Sequence, residues 1–280
     1  MTTQGTPPAP HPTDGPTEEI DTTRRSQARC WNHWLGGMNT FAVDREAANW
    51  FAANYPSLVE KVRTTRHFLG RAVRHLAGEA GIRQFIDVGS GLPTAGNTHQ
   101  IAQQAAPGAR VVYADNDPQT VLHARRLLGS VPDGTVAYHE ASLREPKAVL
   151  AAAAETLDLS RPVALVLSGI LGHVPDYDEA RAIVRELMAA LPSGSYLLSH
   201  DMSNTNPEWC ALQSRHNETV APLPYHLRSP ERIAGFFEGL DLVEPGVVPL
   251  ASWRPDPDVR YSADWAVLVS DLVGGVGRKP

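Results

Sequence analysis

The chain predicts an α/β fold built on a mostly parallel sheet. Three observations carry that expectation. From residue 82 onward, short apolar runs alternate with helical patterns. The first run ends in Asp87-Val88-Gly89-Ser90-Gly91, a glycine turn leading from a strand into a helix. The second ends in Asp115-Asn116-Asp117, so an acid closes the next strand.

Residues 1–21 are rich in Pro, Thr and Gly and poor in large apolar side chains, which predicts disorder. Residues 22–80 read as helical. Ala47, Trp50, Phe51 and Asn54 keep a helical period, with Asp44 and Glu46 in the first turn. A longer helix over 58–77 follows Pro56-Ser57 and places Val62, Phe68, Leu69, Val73 and Leu76 on one side. This region forms either a cap over the ligand edge of the sheet or an outer layer. Residues 81–280 form the sheet domain. Strands are expected at 84–88, 110–114, 135–139, 163–168 and 195–200, and helices at 98–106, 118–128, 147–157, 178–190 and 207–219. Ser229-Pro230-Glu231-Arg232 starts a further helix to 238. Two last strands are expected at 242–248 and 265–270. They pair as a hairpin, because 251–262 has no helical pattern.

With 280 residues, 42% of them hydrophobic, the chain is long enough for one large α/β domain. Its net charge of -6 and the lack of a basic block argue against a nucleic-acid partner. No apolar run approaches the ~18 residues of a membrane span, and the start has no apolar signal core. Cys30 and Cys210 have neither metal-type nor redox-type spacing, so no metal centre is expected. The setting expected is reducing and cytoplasmic.

Ligands of open α/β sheets bind beyond the carboxyl ends of the strands. That rule nominates the ends at Asp87–Gly91, Asp115-Asn116, Ser142-Leu143, Ser168–His173 and Ser199–Asp201. A dinucleotide fingerprint needs a third small residue, where this chain has Pro93-Thr94, and no phosphate-loop pattern exists. The turn suits a nucleoside without a pyrophosphate, and S-adenosylmethionine (SAM) fits. His173 and His200 are candidate bases by position. Asp176 and Asp44 read as helix caps. The segment Trp31-Asn32-His33-Trp34-Leu35-Gly36-Gly37-Met38-Asn39-Thr40-Phe41 gathers aromatic rings and His33 around a Gly-Gly pair. It either closes over the sheet edge, with Trp31, Trp34 and Asn39 towards a substrate or the sulfonium, or caps a helix with its tryptophans in the core.

From about residue 26 to residue 280 the chain resembles the actinobacterial SAM-dependent methyltransferase family once known as domain of unknown function 574. The likeness rests on Trp34-Leu35-Gly36-Gly37, on Phe41-Ala42-Val43-Asp44-Arg45-Glu46, and on Phe68-Leu69-Gly70-Arg71. It is densest in Gly89-Ser90-Gly91-Leu92-Pro93-Thr94 and Val111-Val112-Tyr113-Ala114-Asp115-Asn116-Asp117-Pro118. The terminal Gly274-Gly275-Val276-Gly277-Arg278 also matches. The resemblance implies a Rossmann-like class I methyltransferase fold: a seven-stranded, mostly parallel sheet with helices on both faces, an antiparallel last strand and an N-terminal helical cap. It implies that Asp87, Gly89, Ser90 and Gly91 line the methionine part of SAM, Asp115 holds the ribose and Asn116 lies against adenine. The chain departs from the family at Trp31-Asn32-His33, Met38-Asn39-Thr40, Ser142 and Gly172-His173.

The function expected is methyl transfer from SAM to a small molecule, with specialised metabolism as a candidate setting, by a monomer or homodimer. The base would be His33, His173 or His200. Aminocarboxypropyl transfer or cyclisation of SAM would release methylthioadenosine instead. A non-catalytic SAM-binding regulator is a further class, and a dinucleotide oxidoreductase ranks last.

Overall fold

The computed structural model describes residues 19–94, 96–129, 134–219, 224–256 and 262–280. The expected disorder therefore falls mostly outside the described residues. Within it, Asp21 is anchored through its backbone N–H to Gln119 Oε1 at 2.7 Å.

Three helices open the chain: α1 (Gln27–Trp34), α2 (Ala42–Asn54) and α3 (Leu58–Gly78). The sheet then alternates with helices: β1 (Gln84–Val88), α4 (Thr98–Ala105), β2 (Arg110–Asp115), α5 (Pro118–Leu128), β3 (Val136–Glu140) and α6 (Pro146–Ala154). β4 (Ala164–Ser168), α7 (Tyr177–Ala190) and β5 (Tyr196–Met202) follow, then α8 (Pro207–Thr219) and α9 (Pro230–Ala234). The chain closes with β6 (Asp241–Leu242), β7 (Val248–Pro249), α10 (Ala263–Leu268) and β8 (Leu272–Arg278).

The sheet order is β3-β2-β1-β4-β5-β8-β6, with β7 also on β8. Strands β1 to β5 pair in parallel, and β8 runs antiparallel to β5. Alternate side chains enter two cores, as a period-2 element on a two-sided sheet requires. Phe85, Val111, Tyr113 and Val166 pack with α3, α4 and α5 on one face. Ile86, Val112, Leu165 and Leu197 pack with α6 and α7 on the other. Trp34, Phe51, Val62 and Phe68 of the first three helices belong to the first core. The N-terminal region therefore has no separate core.

The carboxyl end differs from expectation. Residues expected as a strand at 265–270 form α10 for the most part, because Ser262 Oγ accepts from the Trp265 N–H at 3.1 Å and caps a helix there. The last strand is the glycine-rich β8. The expected strand at 242–248 is two short pieces, β6 and β7, both antiparallel to β8. Between them the chain turns, with Gly246 N–H donating to Val243 O at 2.8 Å. The expected hairpin partner of that edge is thus β8, reached through α10.

Candidate active site

The chain order of the sheet reverses between β1 and β4, which is where open α/β sheets hold ligands. A cavity of about 500 Å³ lies there, beyond the carboxyl ends of β1, β2 and β4. The other side is walled by α1 and α3, through Ala28, Trp31, Leu35, Arg66 and Leu69. The helical region is a cap over the ligand edge.

The turn after β1 is shaped for close approach. Gly89 and Gly91 have φ of 70° and 64°, a region that favours glycine. A Cβ on Gly89 would meet Ile170 Cδ1 at 2.4 Å, and one on Gly91 would touch Ala28 Cβ at 3.5 Å. Ser90 Oγ bonds Tyr138 OH at 2.6 Å, and Tyr138 donates its hydroxyl proton to Gly91 O. Asp115 Oδ2 accepts from the Gly91 N–H at 3.1 Å, and its Oδ1 accepts from the Asp117 N–H at 3.1 Å. The acid after β2 therefore also braces the glycine turn.

Asp87 and Asp115 both line the cavity. Burial pushes the Asp87 carboxyl up to about 6, against the Thr98 hydrogen bond and the Arg66 charge that favour ionisation. Burial likewise raises Asp115 to about 6, opposed by backbone N–H donors. Two buried carboxylates with raised pKa values in one cavity mark a candidate ligand site. Asn116, Ser142, Leu143 and Ser168 also line the cavity.

The histidines separate. His173 lines the cavity, and its Nδ1 lies 3.0 Å from Pro224 O. A carbonyl only accepts, so Nδ1 carries the proton and Nε2 the lone pair. Burial lowers its pKa, and the ring is neutral at pH 7. His200 also lines the cavity, but it is fully enclosed, with Nε2 at 2.8 Å from Ser168 Oγ. Burial drives it down to about 3. His33 lies outside the cavity, with Nε2 bonded to Asn49 Oδ1 at 3.1 Å.

The aromatic segment divides by helical period. Ala28, Trp31, Asn32 and Leu35 share the cavity face of α1 and its cap, which turns His33 and Trp34 away. Trp34 is a core residue, packed edge-on against Phe51 with its indole N–H on Ala48 O at 3.0 Å. Asn39 sits past the helix end, its N–H on Asn32 Oδ1 at 3.1 Å, outside the cavity. Gly36, at φ 81°, ends α1 in the left-handed form, its N–H on His33 O at 2.9 Å. The segment is thus both a cap and, through Trp31, a cavity wall. Asp176 caps α7 as expected. Asp44 is more than a cap: it accepts from Phe41 N–H and Ser26 N–H and pairs with buried Arg29 at 2.6 Å.

Sequence reading missed Arg66, Arg228 and Tyr138. Arg228 is buried and donates to Leu171 O at 2.9 Å and to Val174 O. It thereby holds the turn that carries His173. Tyr138 sits mid-strand in β3, where its outward reach to the glycine turn has no sequence signal.

A profile of the family described as S-adenosyl methyltransferase matches residues 13–280. The chain belongs to this family. SAM is its cofactor, and the residues present fit it: the glycine turn Gly89–Gly91 and the two buried carboxylates of Asp87 and Asp115 line one cavity. A crystal structure described as a candidate methyltransferase of Thermobifida fusca YX is 38% identical, covers 94% of this chain and 98% of that one, and superposes with a TM-score of 0.83. A domain-of-unknown-function 574 family protein of Streptomyces avermitilis MA-4680 is 40% identical over 94% of this chain and 100% of that chain, also with a TM-score of 0.83. Magnesium protoporphyrin IX methyltransferase of Synechocystis PCC 6803, at 14% identity over 89% of this chain and 93% of that one and a TM-score of 0.51, shares the fold. None of the curated proteins compared matches this chain. Among the described residues no helix is long and apolar enough to cross a membrane.

Proposed function

We propose that this methyltransferase acts on a small molecule, in the reducing cytoplasm, with His173 as the base. The observation that carries the reading is the cavity itself. At about 500 Å³, walled by α1 and α3 as well as the strand ends, it leaves little room beside a bound nucleoside. Cys30 and Cys210 are unpaired, which agrees with a reducing setting.

Bound SAM supplies an electrophilic methyl group on a sulfonium. The chain must align an acceptor behind that carbon at about 3–3.5 Å and remove its proton. The neutral His173 ring, with its lone pair on Nε2, is suited to take that proton while the acceptor's electron pair forms the bond to carbon. The electrons of the broken carbon–sulfur bond remain on sulfur. Arg228 and Pro224 fix the ring in place, and Trp31 packs at the cavity wall. His200, enclosed and held by Ser168, supports the β4 and β5 ends rather than exchanging a proton.

The test is incubation of the purified protein with SAM and separated cell fractions, followed by mass spectrometry of the nucleosides. S-adenosylhomocysteine formed with the low-molecular-weight fraction, and not with the macromolecular one, is expected. Methylthioadenosine formed with no acceptor would replace methyl transfer by cyclisation of SAM. Methyl groups carried onto macromolecules would overturn the small-molecule reading.

A further inference from the structure

A second cavity, of about 270 Å³, opens at the amino ends of β1, β4 and β5, the sheet edge opposite the candidate active site. Four adjacent strands each bring one side chain to it. Arg83 directly precedes β1, and Arg161 stands just before β4. Tyr196 opens β5, and its register partner Arg278 closes the antiparallel β8. This gathering of cations runs against the composition. The chain carries a net charge of -6, yet among the described residues no acid lines this cavity.

The three arginines are placed but not spent. Arg83 Nη1 donates to Ala77 O at 2.7 Å and to Ile82 O at 3.0 Å. These bonds pin it to the end of α3 and leave Nε and Nη2 without a protein hydrogen bond among the described residues. The loop carrying Arg161 is pinned to β1: Gln84 Nε2 donates to Asp158 O at 2.8 Å, and the Asp158 N–H donates to Gln84 Oε1 at 2.7 Å. The Asp158 carboxylate feels the Arg161 charge, but its Oδ1 is taken by Ser160, through the N–H at 3.0 Å and the hydroxyl at 2.6 Å. Arg161 makes no side-chain hydrogen bond or ion pair among the described residues. Arg278 approaches Asp241 only to 4.0 Å, in the open. Its Nη2 lies 3.9 Å from the Cβ position of Gly194, which also abuts Pro162 at 3.5 Å. The Arg278 fork therefore stands beside the Arg161-Pro162 turn. Like charges around one hollow repel each other, and an anion between them relieves the repulsion. Planar guanidinium forks match the oxygens of a phosphate, which accept two parallel hydrogen bonds.

We infer that this cavity is a second ligand site, which takes a phosphate group, free or carried on a small ester, between Arg83, Arg161 and Arg278. Its volume sits at the small end of ligand pockets, near about 300 Å³. That admits a phosphate with a short polar remainder and leaves no room for a second copy of the cofactor. The inference does not depend on what fills the cavity at the other edge of the sheet.

Calorimetric titration of the full chain tests it, with saturating S-adenosylhomocysteine present to occupy the other cavity. The probes are inorganic phosphate, ribose 5-phosphate and, as the uncharged control, ribose. Phosphate probes bind with a single-site isotherm, and ribose does not. Tighter binding of ribose 5-phosphate identifies an ester as the ligand class, and equal binding identifies free phosphate. Arg161→Gln and Arg278→Gln each lower the affinity roughly 10-fold or more. Both side chains are exposed, so the unfolding temperature and the SAM affinity of these variants stay at the wild-type values. Arg63→Gln, which removes an exposed cation elsewhere, leaves phosphate binding unchanged. No phosphate binding by wild type, wild-type affinity in both cavity variants, or an equal loss in Arg63→Gln overturns the inference. A chain that binds phosphate but neither SAM nor S-adenosylhomocysteine would overturn the reading of the other cavity and leave this one standing.

Discussion

A histidine becomes a base through what its far nitrogen touches. His173, His200 and His33 were equivalent candidates in the sequence, and their partners separate them. The Pro224 carbonyl fixes the proton of His173 on Nδ1. Burial first, and the neighbouring His226 charge, pull its pKa down, against the carbonyl contact that raises it. The ring therefore stays neutral, and competent as a base, below the ordinary histidine range of about 6.5. Activity should hold as pH falls through 6.5 and fail only further down, where the ring protonates. His173→Asn should lower kcat by roughly 10²- to 10⁴-fold with SAM affinity within a factor of about two. The check is a pH profile of kcat together with a SAM titration of the variant. A kcat that falls with an ordinary histidine pKa, or a variant of normal turnover, would remove His173 from the chemistry. Asp87 and Asp115, raised to about 6, titrate near the same range, which is why kcat at saturating SAM is the quantity to follow.

At the scale of elements, glycines record what packs against them. Gly172 has an ordinary φ, but a Cβ there would fall 2.4 Å from the Tyr225 ring. That ring lies edge-on to His173 at 5.0 Å, and its hydroxyl donates to buried Asp201. Gly172→Ala should therefore cost about 1–3 kcal/mol through overpacking and lower kcat by shifting the His173 turn. SAM affinity should be nearly unchanged, because the proposed cofactor contacts Asp87 and Asp115 belong to β1 and β2. Thermal unfolding and calorimetry on one preparation would check all three. A full-stability variant, or one that loses SAM binding, contradicts the packing. The same logic explains what was legible in the sequence. β1, β2 and β4 were readable because apolar runs ended at turn residues. β8 was not, because glycine, a poor strand former, takes half of Leu272-Val273-Gly274-Gly275-Val276-Gly277. Its glycines answer to neighbours: a Cβ on Gly274 would meet His200 Cβ at 2.4 Å, and one on Gly275 would meet Gly246 O at 2.7 Å. Such constraints come from strands far apart in the chain, and no local pattern contains them. Conversely Trp265–Leu268 has strand-like composition, yet the Ser262 cap makes it helical. In the site, residues at strand ends were found by position, whereas Arg66 and Arg228 lie on segments whose approach only the tertiary fold creates.

Across the whole molecule, α3 and the segment just before β8 meet in a buried pair. Lys61 of α3 is fully buried, and its ammonium bonds Asp271 just before β8, 210 residues later. The Tyr55 ring lies 5.6 Å from the same nitrogen. Desolvation lowers the Lys61 pKa, opposed by the Asp271 hydrogen bond and charge. Such a pair is a poor source of net stability but costly to break on one side. Asp271→Leu should thus destabilise the fold by about 3–5 kcal/mol, because it leaves an ammonium buried without a counter-charge. The matched Lys61→Met in that background should recover much of the loss. Urea unfolding of the two single variants and the double variant measures the coupling. Additive losses would mean that the pair is not coupled, and that α3 is held to β8 by apolar packing alone. A recovered double variant would show that the loss in each single variant comes from a buried charge left without its partner. Arg66 and Thr65 stand on that same helix and line the cavity, so the register set at Lys61 also sets the α3 wall of the cavity. The double variant should then regain stability while still binding SAM more weakly than wild type.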